Sequence, residues 1–137
     1  MDYELPEELR MMKETLRRFI DKEVIPIERE AYDGPEMVPE IRQRLQARAQ
    51  ELGFWMIDVP EKYGGMGLGL LTRVLVWEEA GRTIAFPRRK PWIFGYDVSP
   101  ILLEYLRDDQ KDEFLWPVLR GEKTAAFAQT CLLYTSP

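Results

Sequence analysis

Three groups of residues in this sequence have types and spacing that could do chemistry: a glycine loop, a basic triplet and a pair of adjacent acids. In EKYGGMGLG, residues 61–69, Gly64, Gly65, Gly67 and Gly69 could offer backbone N–H groups to a phosphate. The loop lacks the lysine of a P-loop, and Gly65-x-Gly67-x-Gly69 is not the dinucleotide spacing, so it reads as a structural turn. Arg88, Arg89 and Lys90 could hold an anionic group such as a coenzyme phosphate, yet between Pro87 and Pro91 they read as solvated loop charge. Glu78 and Glu79 look like an acid–base pair, but neighbouring helix positions point about 100° apart and cannot share a proton. Trp55, Trp77, Trp92 and Trp116 each sit in an apolar neighbourhood, which predicts packing and not a binding cage.

The residue types that are missing narrow the chemistry further. There is no histidine and one cysteine, Cys131, so the chain has no internal disulfide and lacks the usual general base and the usual metal ligand. Zinc sites and Ser-His or Cys-His catalysis are excluded within these residues. A net charge of −5 gives nucleic acid and anionic lipid no long-range attraction. No apolar run approaches the roughly 20 residues of a membrane helix. The acidic start MDYELPEELR lacks a signal core, which predicts a cytoplasmic protein. From the residues alone, no constellation here can make or break a bond.

The elements that would position any site are helical. Leu5, Leu9, Met12, Leu16, Phe19, Ile20, Val24 and Ile27 recur three and four apart, predicting one amphipathic helix with Pro6 in its first turn and Pro26 near its end. A second helix is expected from about Pro35 to Leu52, stopped by Gly53. Leu70 to about Ile84 is apolar nearly all round until Glu78, predicting a central, buried third helix. A short helix capped by Ser99 and a last one capped by Asp108 or Asp109, kinked at Pro117 and ended by Gly121, complete the set. Only AAFAQT, residues 125–130, reads as strand. The expected fold is therefore all-α, an antiparallel bundle of five helices that ends in the first strand of a β domain.

One resemblance carries more than these patterns. ELGFWMIDVPEKYGGMGLG, residues 51–69, resembles the acyl-CoA dehydrogenase family, with PE before the glycines and then GGxGLG. In register after it, WEEAGRT, residues 77–83, resembles that family's glutamate-rich third helix. DDQKDEFLWPVLRGEKTAAFAQT, residues 108–130, resembles its following helix and the first strand of its middle domain. The resemblance implies a flavoenzyme that removes two hydrogens from the α and β carbons of an acyl-CoA in fatty acid metabolism. A carboxylate takes the α proton and FAD takes the hydride. It further implies a helical amino-terminal domain at 1–123, the opening strand of a β domain at 124–130, homotetramer assembly and an electron-transfer flavoprotein as acceptor.

Carried over residue by residue, the resemblance assigns Phe127, Gln129 and Thr130 to the flavin, and Phe94, Tyr96 and Val98 to the acyl pocket. It assigns no catalytic residue and no metal ligand, because the family's proton-abstracting carboxylate belongs to a third domain. After Thr130 the family pattern calls for Glu-Pro and then Gly-Ser-Asp, but Cys131 and Leu132 stand there. Residues 131–137, CLLYTSP, are accordingly expected to be foreign, and the fragment as written to be inactive. A non-catalytic helical interaction module and a relative of the acyl-CoA oxidases are the competing readings.

Overall fold

A computed structural model of the chain describes residues 4–33, 36–85, 93–95, 98 and 100–123. They fall into two compact units, Met1–Gly95 and Tyr96–Pro137.

The first unit opens with α1, Glu7–Phe19, whose first turn carries Glu7 and Glu8 and whose last turn carries Arg17 and Arg18, each matched to the helix dipole. Pro6 is extended and precedes the helix as its cap residue, one position earlier than expected. The α ladder stops short of Ile27. Ile20–Val24 form a π turn, in which the Ile25 N–H donates to the Ile20 carbonyl five residues back, and Ile25–Ile27 form a 3₁₀ turn. Pro26 has no N–H to carry an α ladder forward, so the chain tightens and leaves the helix there. The wider turn still keeps Leu16, Phe19, Ile20 and Val24 on the buried side.

Two two-residue strands follow, β1 at Tyr32–Asp33 and β2 at Glu36–Met37, paired antiparallel with Tyr32 opposite Met37. This small ladder claims residues that the sequence pattern gave to the second helix, so α2 spans Pro39–Glu51, with Pro39 in the first turn where its missing N–H costs nothing. Its end is a Schellman motif: Gly53 N–H donates to Gln50 C=O at 3.0 Å and Phe54 N–H to Ala49 C=O at 2.8 Å. Phe54 is thereby turned into the core.

The glycine loop is the structural turn its spacing implied. It folds back on the preceding connector, with Gly67 N–H donating to Val59 C=O and Leu68 N–H to Ile57 C=O, both at 2.8 Å. A Cβ on Gly65 would stand 2.0 Å from the Val59 carbonyl oxygen, so only glycine allows this approach.

Helix α3, Leu70–Ala80, buries Thr72, Leu75, Val76, Glu79 and Ala80 against the rest of the unit. Its other side is open: Leu70 is 75% exposed, Val74 52% and Trp77 48%. The expectation of a helix buried all round is therefore corrected, and with it the reading of Trp77 as a packed residue. The contacts of α1 with α3 rise together in number, Lys13 with Glu78, Arg17 with Glu79, and Asp21 beyond α1 with Arg82 beyond α3. These two helices run in the same sense, so antiparallel order does not extend to this pair.

In the second unit the described helices are α4, Pro100–Glu104, α5, Asp108–Phe114, and α6, Trp116–Leu119. The expected last helix is split at Leu115, where Pro117 enters the first turn of a new segment, and Leu115, Pro117, Val118 and Leu119 are buried. Arg107, not an aspartate, occupies the cap position of α5, with its N–H donating to Gln110 Oε1 at 3.2 Å. The all-α class stands. The strand expected at 124–130 and the tail at 131–137 lie outside the described residues.

Candidate functional site

Two features of the first unit hold polar or strained groups in fixed geometry. The first is built around Glu79, whose side chain is fully buried although it lies one position from the exposed Glu78. Arg17 donates to it through two nitrogens, Nη2 to Oε1 at 2.7 Å and Nε to Oε2 at 3.1 Å, and Arg82 Nη1 donates to Oε2 at 3.0 Å. Lys13 Nζ stands 3.9 Å from Oε1 and donates to both oxygens of Glu78 at 2.7 Å. Arg82 reaches on to Asp21 at 2.7 Å. Three cations and three carboxylates thus form one lattice between α1 and α3.

Burial alone would push the Glu79 carboxyl up, but the hydrogen bonds and charges of Arg17 and Arg82 outweigh it and hold the group below its ordinary value. The same contact raises Arg17. A carboxylate so placed is a poor base, because its oxygens are already committed to guanidinium donors and its affinity for a proton is lowered. Glu78 and Glu79 therefore do not act as a dyad, as their helix spacing implied. Their shared work is structural, tying α1 to α3.

The second feature is a close crossing of Met56 with Phe94 and Gly95. Met56 N–H donates to the Phe94 carbonyl at 2.8 Å. The Phe94 ring lies edge-on to Phe19, with centroids 6.4 Å apart, and to Phe54, at 6.3 Å. Phe94 is thus a buried member of the core of the first unit. Val98 is buried in the second unit. Tyr96, like the flavin candidates Phe127, Gln129 and Thr130, lies outside the described residues. Among the described residues no group of acids and cysteine is arranged to hold a metal ion, and no helix is long and apolar enough to cross a membrane.

Residues 6–122, a span that takes in all six described α-helices, match the sequence model of the acyl-CoA dehydrogenase N-terminal domain. The chain belongs to the acyl-CoA dehydrogenase family. It is 36% identical over 146 aligned positions to (R)-benzylsuccinyl-CoA dehydrogenase of Thauera aromatica, covering 95% of this chain and 35% of that protein. It is 30% identical to the mitochondrial short-chain specific acyl-CoA dehydrogenase of Sus scrofa, covering 91% of this chain and 29% of that one. It is 34% identical to the 3-(aryl)acrylate reductase of Clostridium sporogenes, covering 90% and 32%. The chain thus spans about a third of the length of these relatives. The acyl-pocket candidates Phe94, Tyr96 and Val98 fall inside the matched family domain, and the flavin candidates Phe127, Gln129 and Thr130 beyond it.

The Glu79 lattice was not foreseen from the sequence. Its one signal was an acid on the inward side of a mostly apolar helix, together with Lys13, Arg17 and Asp21 spaced four apart near the start of the chain.

Proposed function

We propose that the chain is the amino-terminal helical domain of a flavin-dependent acyl-CoA dehydrogenase that introduces an α,β double bond into an acyl-CoA thioester. The observation that carries this is the family match across residues 6–122, which runs through every described helix. The proton-abstracting carboxylate comes from polypeptide beyond the matched domain. Glu79 is unsuited to that role because its oxygens are bound by Arg17 and Arg82.

FAD is the cofactor of this reading, and when bound it would supply the hydride acceptor. Every buried side-chain nitrogen or oxygen among the described residues already has a hydrogen-bond partner. The described helices thus hold no orphaned buried side-chain group that a flavin would be needed to satisfy. Its contacts are proposed at Phe127, Gln129 and Thr130. Phe94, Tyr96 and Val98 are proposed for the acyl group. Since two of the relatives are named for aryl-bearing compounds, an aryl-substituted acyl-CoA belongs beside butyryl-CoA in the substrate panel. An electron-transfer flavoprotein as acceptor, a tetrameric assembly and a place in cytoplasmic fatty acid metabolism complete the proposal.

The test compares two polypeptides: the 137-residue chain, and the product of the longer reading frame that contains residues 1–130. Each is purified with FAD, then assayed for co-eluting flavin absorbance and for reduction of a dye driven by acyl-CoA. The longer product should be yellow and active, and the 137-residue chain colourless and inactive. A longer product that turns over no CoA thioester rejects the proposal.

A further inference from the structure

Helix α3 carries a stripe of open apolar side chains with a definite repeat. Leu70, Val74 and Trp77 follow one another four and three residues apart and are 75%, 52% and 48% exposed. That spacing is the seam of a two-stranded coiled coil, with Leu70 and Trp77 at d positions and Val74 at the a position between them. Leu75, Val76 and Glu79, which the first unit buries, take positions b, c and f on the opposite side of the helix. The charges bordering the stripe are ordered as well. Arg73 falls at g and Glu78 at e, so a cation lines one side of the seam and an anion the other. Their side chains are 45% and 54% exposed. Arg73 stands 3.6 Å from its partner Asp58, beyond hydrogen-bond reach, and Glu78, which accepts from Lys13, has lone pairs for a further donor.

We propose that a second copy of this chain covers the stripe, with the two α3 helices side by side and parallel. The charge pattern selects both the partner and its direction. In a parallel pair the g side of one helix meets the e side of the other, so Arg73 of each copy faces the partner's Glu78, five positions further along, and two ion pairs flank the seam. In an antiparallel pair g meets g and e meets e, which sets arginine against arginine and glutamate against glutamate. The parallel pair closes on itself, so it stops at two copies. A seam from Leu70 to Trp77 is about two turns long, too short to bury the roughly 1,200–2,000 Å² of a stable interface, and the dimer is accordingly weak and concentration-dependent. This surface belongs to the first unit alone and does not rest on the flavoenzyme reading.

The experiment uses the 137-residue chain carrying Cys131→Ser, which removes its one thiol. Sedimentation up to about 1 mM should show a reversible monomer–dimer equilibrium. Leu70→Cys, Val74→Cys and Trp77→Cys are then made singly and oxidised. In a parallel pair every seam position meets its own copy within disulfide reach, so all three should give linked dimers. An antiparallel pair brings a position against its own copy only at the symmetry axis, so it would link one at most. Tyr105→Cys, off the stripe and 75% exposed, is the control for random collision and should stay monomeric. Arg73→Glu should raise the dimer dissociation constant by about tenfold, and adding Glu78→Arg to it should restore the parent value. If the charge variants fail to fold, the three cysteine positions decide. A chain that stays monomeric, linkage at fewer than all three seam positions, linkage of the control as readily as the seam, or a folded Arg73→Glu that dimerises like the parent overturns the inference.

Discussion

At the scale of single residues, Glu79 decides most. A fully buried carboxylate is tolerated because Arg17 and Arg82 donate three hydrogen bonds to it. Glu79→Gln keeps the shape and removes the charge, so it should cost about 1.5–3 kcal/mol, the range for hydrogen bonds to a charged group. The pH dependence has a definite sign. The folded carboxyl binds its proton less readily than the ordinary value of 4.5, so its contribution is complete above that value and is lost as pH falls through the lower folded value. Denaturation midpoints of parent and Glu79→Gln should therefore lie well apart at neutral pH and converge in acid below 4.5. A gap that persists unchanged into strong acid contradicts the assignment. Sequence periodicity could not reveal this hub, because Arg17 and Glu79 are 62 positions apart and a window pattern reports only neighbours. The crossing of Met56 with Gly95 was illegible for the same reason, and because the positive φ of Met56, +49°, leaves no trace in composition.

At the scale of elements, α3 separates what a sequence pattern reports from what a fold contains. Its largely apolar character was legible and real, and among the described residues Leu75, Val76 and Ala80 are the members of that apolar set that are buried. Leu75, 4% exposed, should lose about 2–5 kcal/mol on truncation to alanine, whereas Val74→Ala, on the open side, should change stability by no more than about 0.5 kcal/mol. Urea midpoints of the two single variants make the comparison, and equal losses would refute the assigned faces. The same open side predicts association. Leu70, Leu71, Val74 and Trp77 are all exposed, so the 137-residue chain should bind a hydrophobic dye and sediment partly as oligomer, and Val74→Glu should reduce both without lowering the midpoint. The boundaries of α1 and α2 were less legible. The apolar spacing from Leu16 to Val24 suits an α helix and a π turn alike, and nothing local announces that residues 32–37 will pair with each other.

At the scale of the whole molecule, the helical class and the family were legible from ordered short motifs; the described helices bear out the first and the match across residues 6–122 the second. The proposed flavin and acyl contacts were legible only through resemblance. Four of the six residues, Tyr96, Phe127, Gln129 and Thr130, lie outside the described part, so their placement is left to the flavin and activity tests above.

The lattice that ties α1 to α3 also sets a schedule for synthesis. Lys13, Arg17 and Asp21 find their partners only at Glu78, Glu79 and Arg82, more than 60 residues further along the chain. At about 5–20 residues per second, the ribosome needs several seconds to supply them. During that interval Leu16, Phe19, Ile20 and Val24, all at most 2% exposed in the finished unit, have only part of their native cover, that supplied by the core residues between Ala31 and Ile57. A nascent chain paused before Arg82 therefore keeps part of the apolar stripe of its first helix exposed, open to chaperones and proteases.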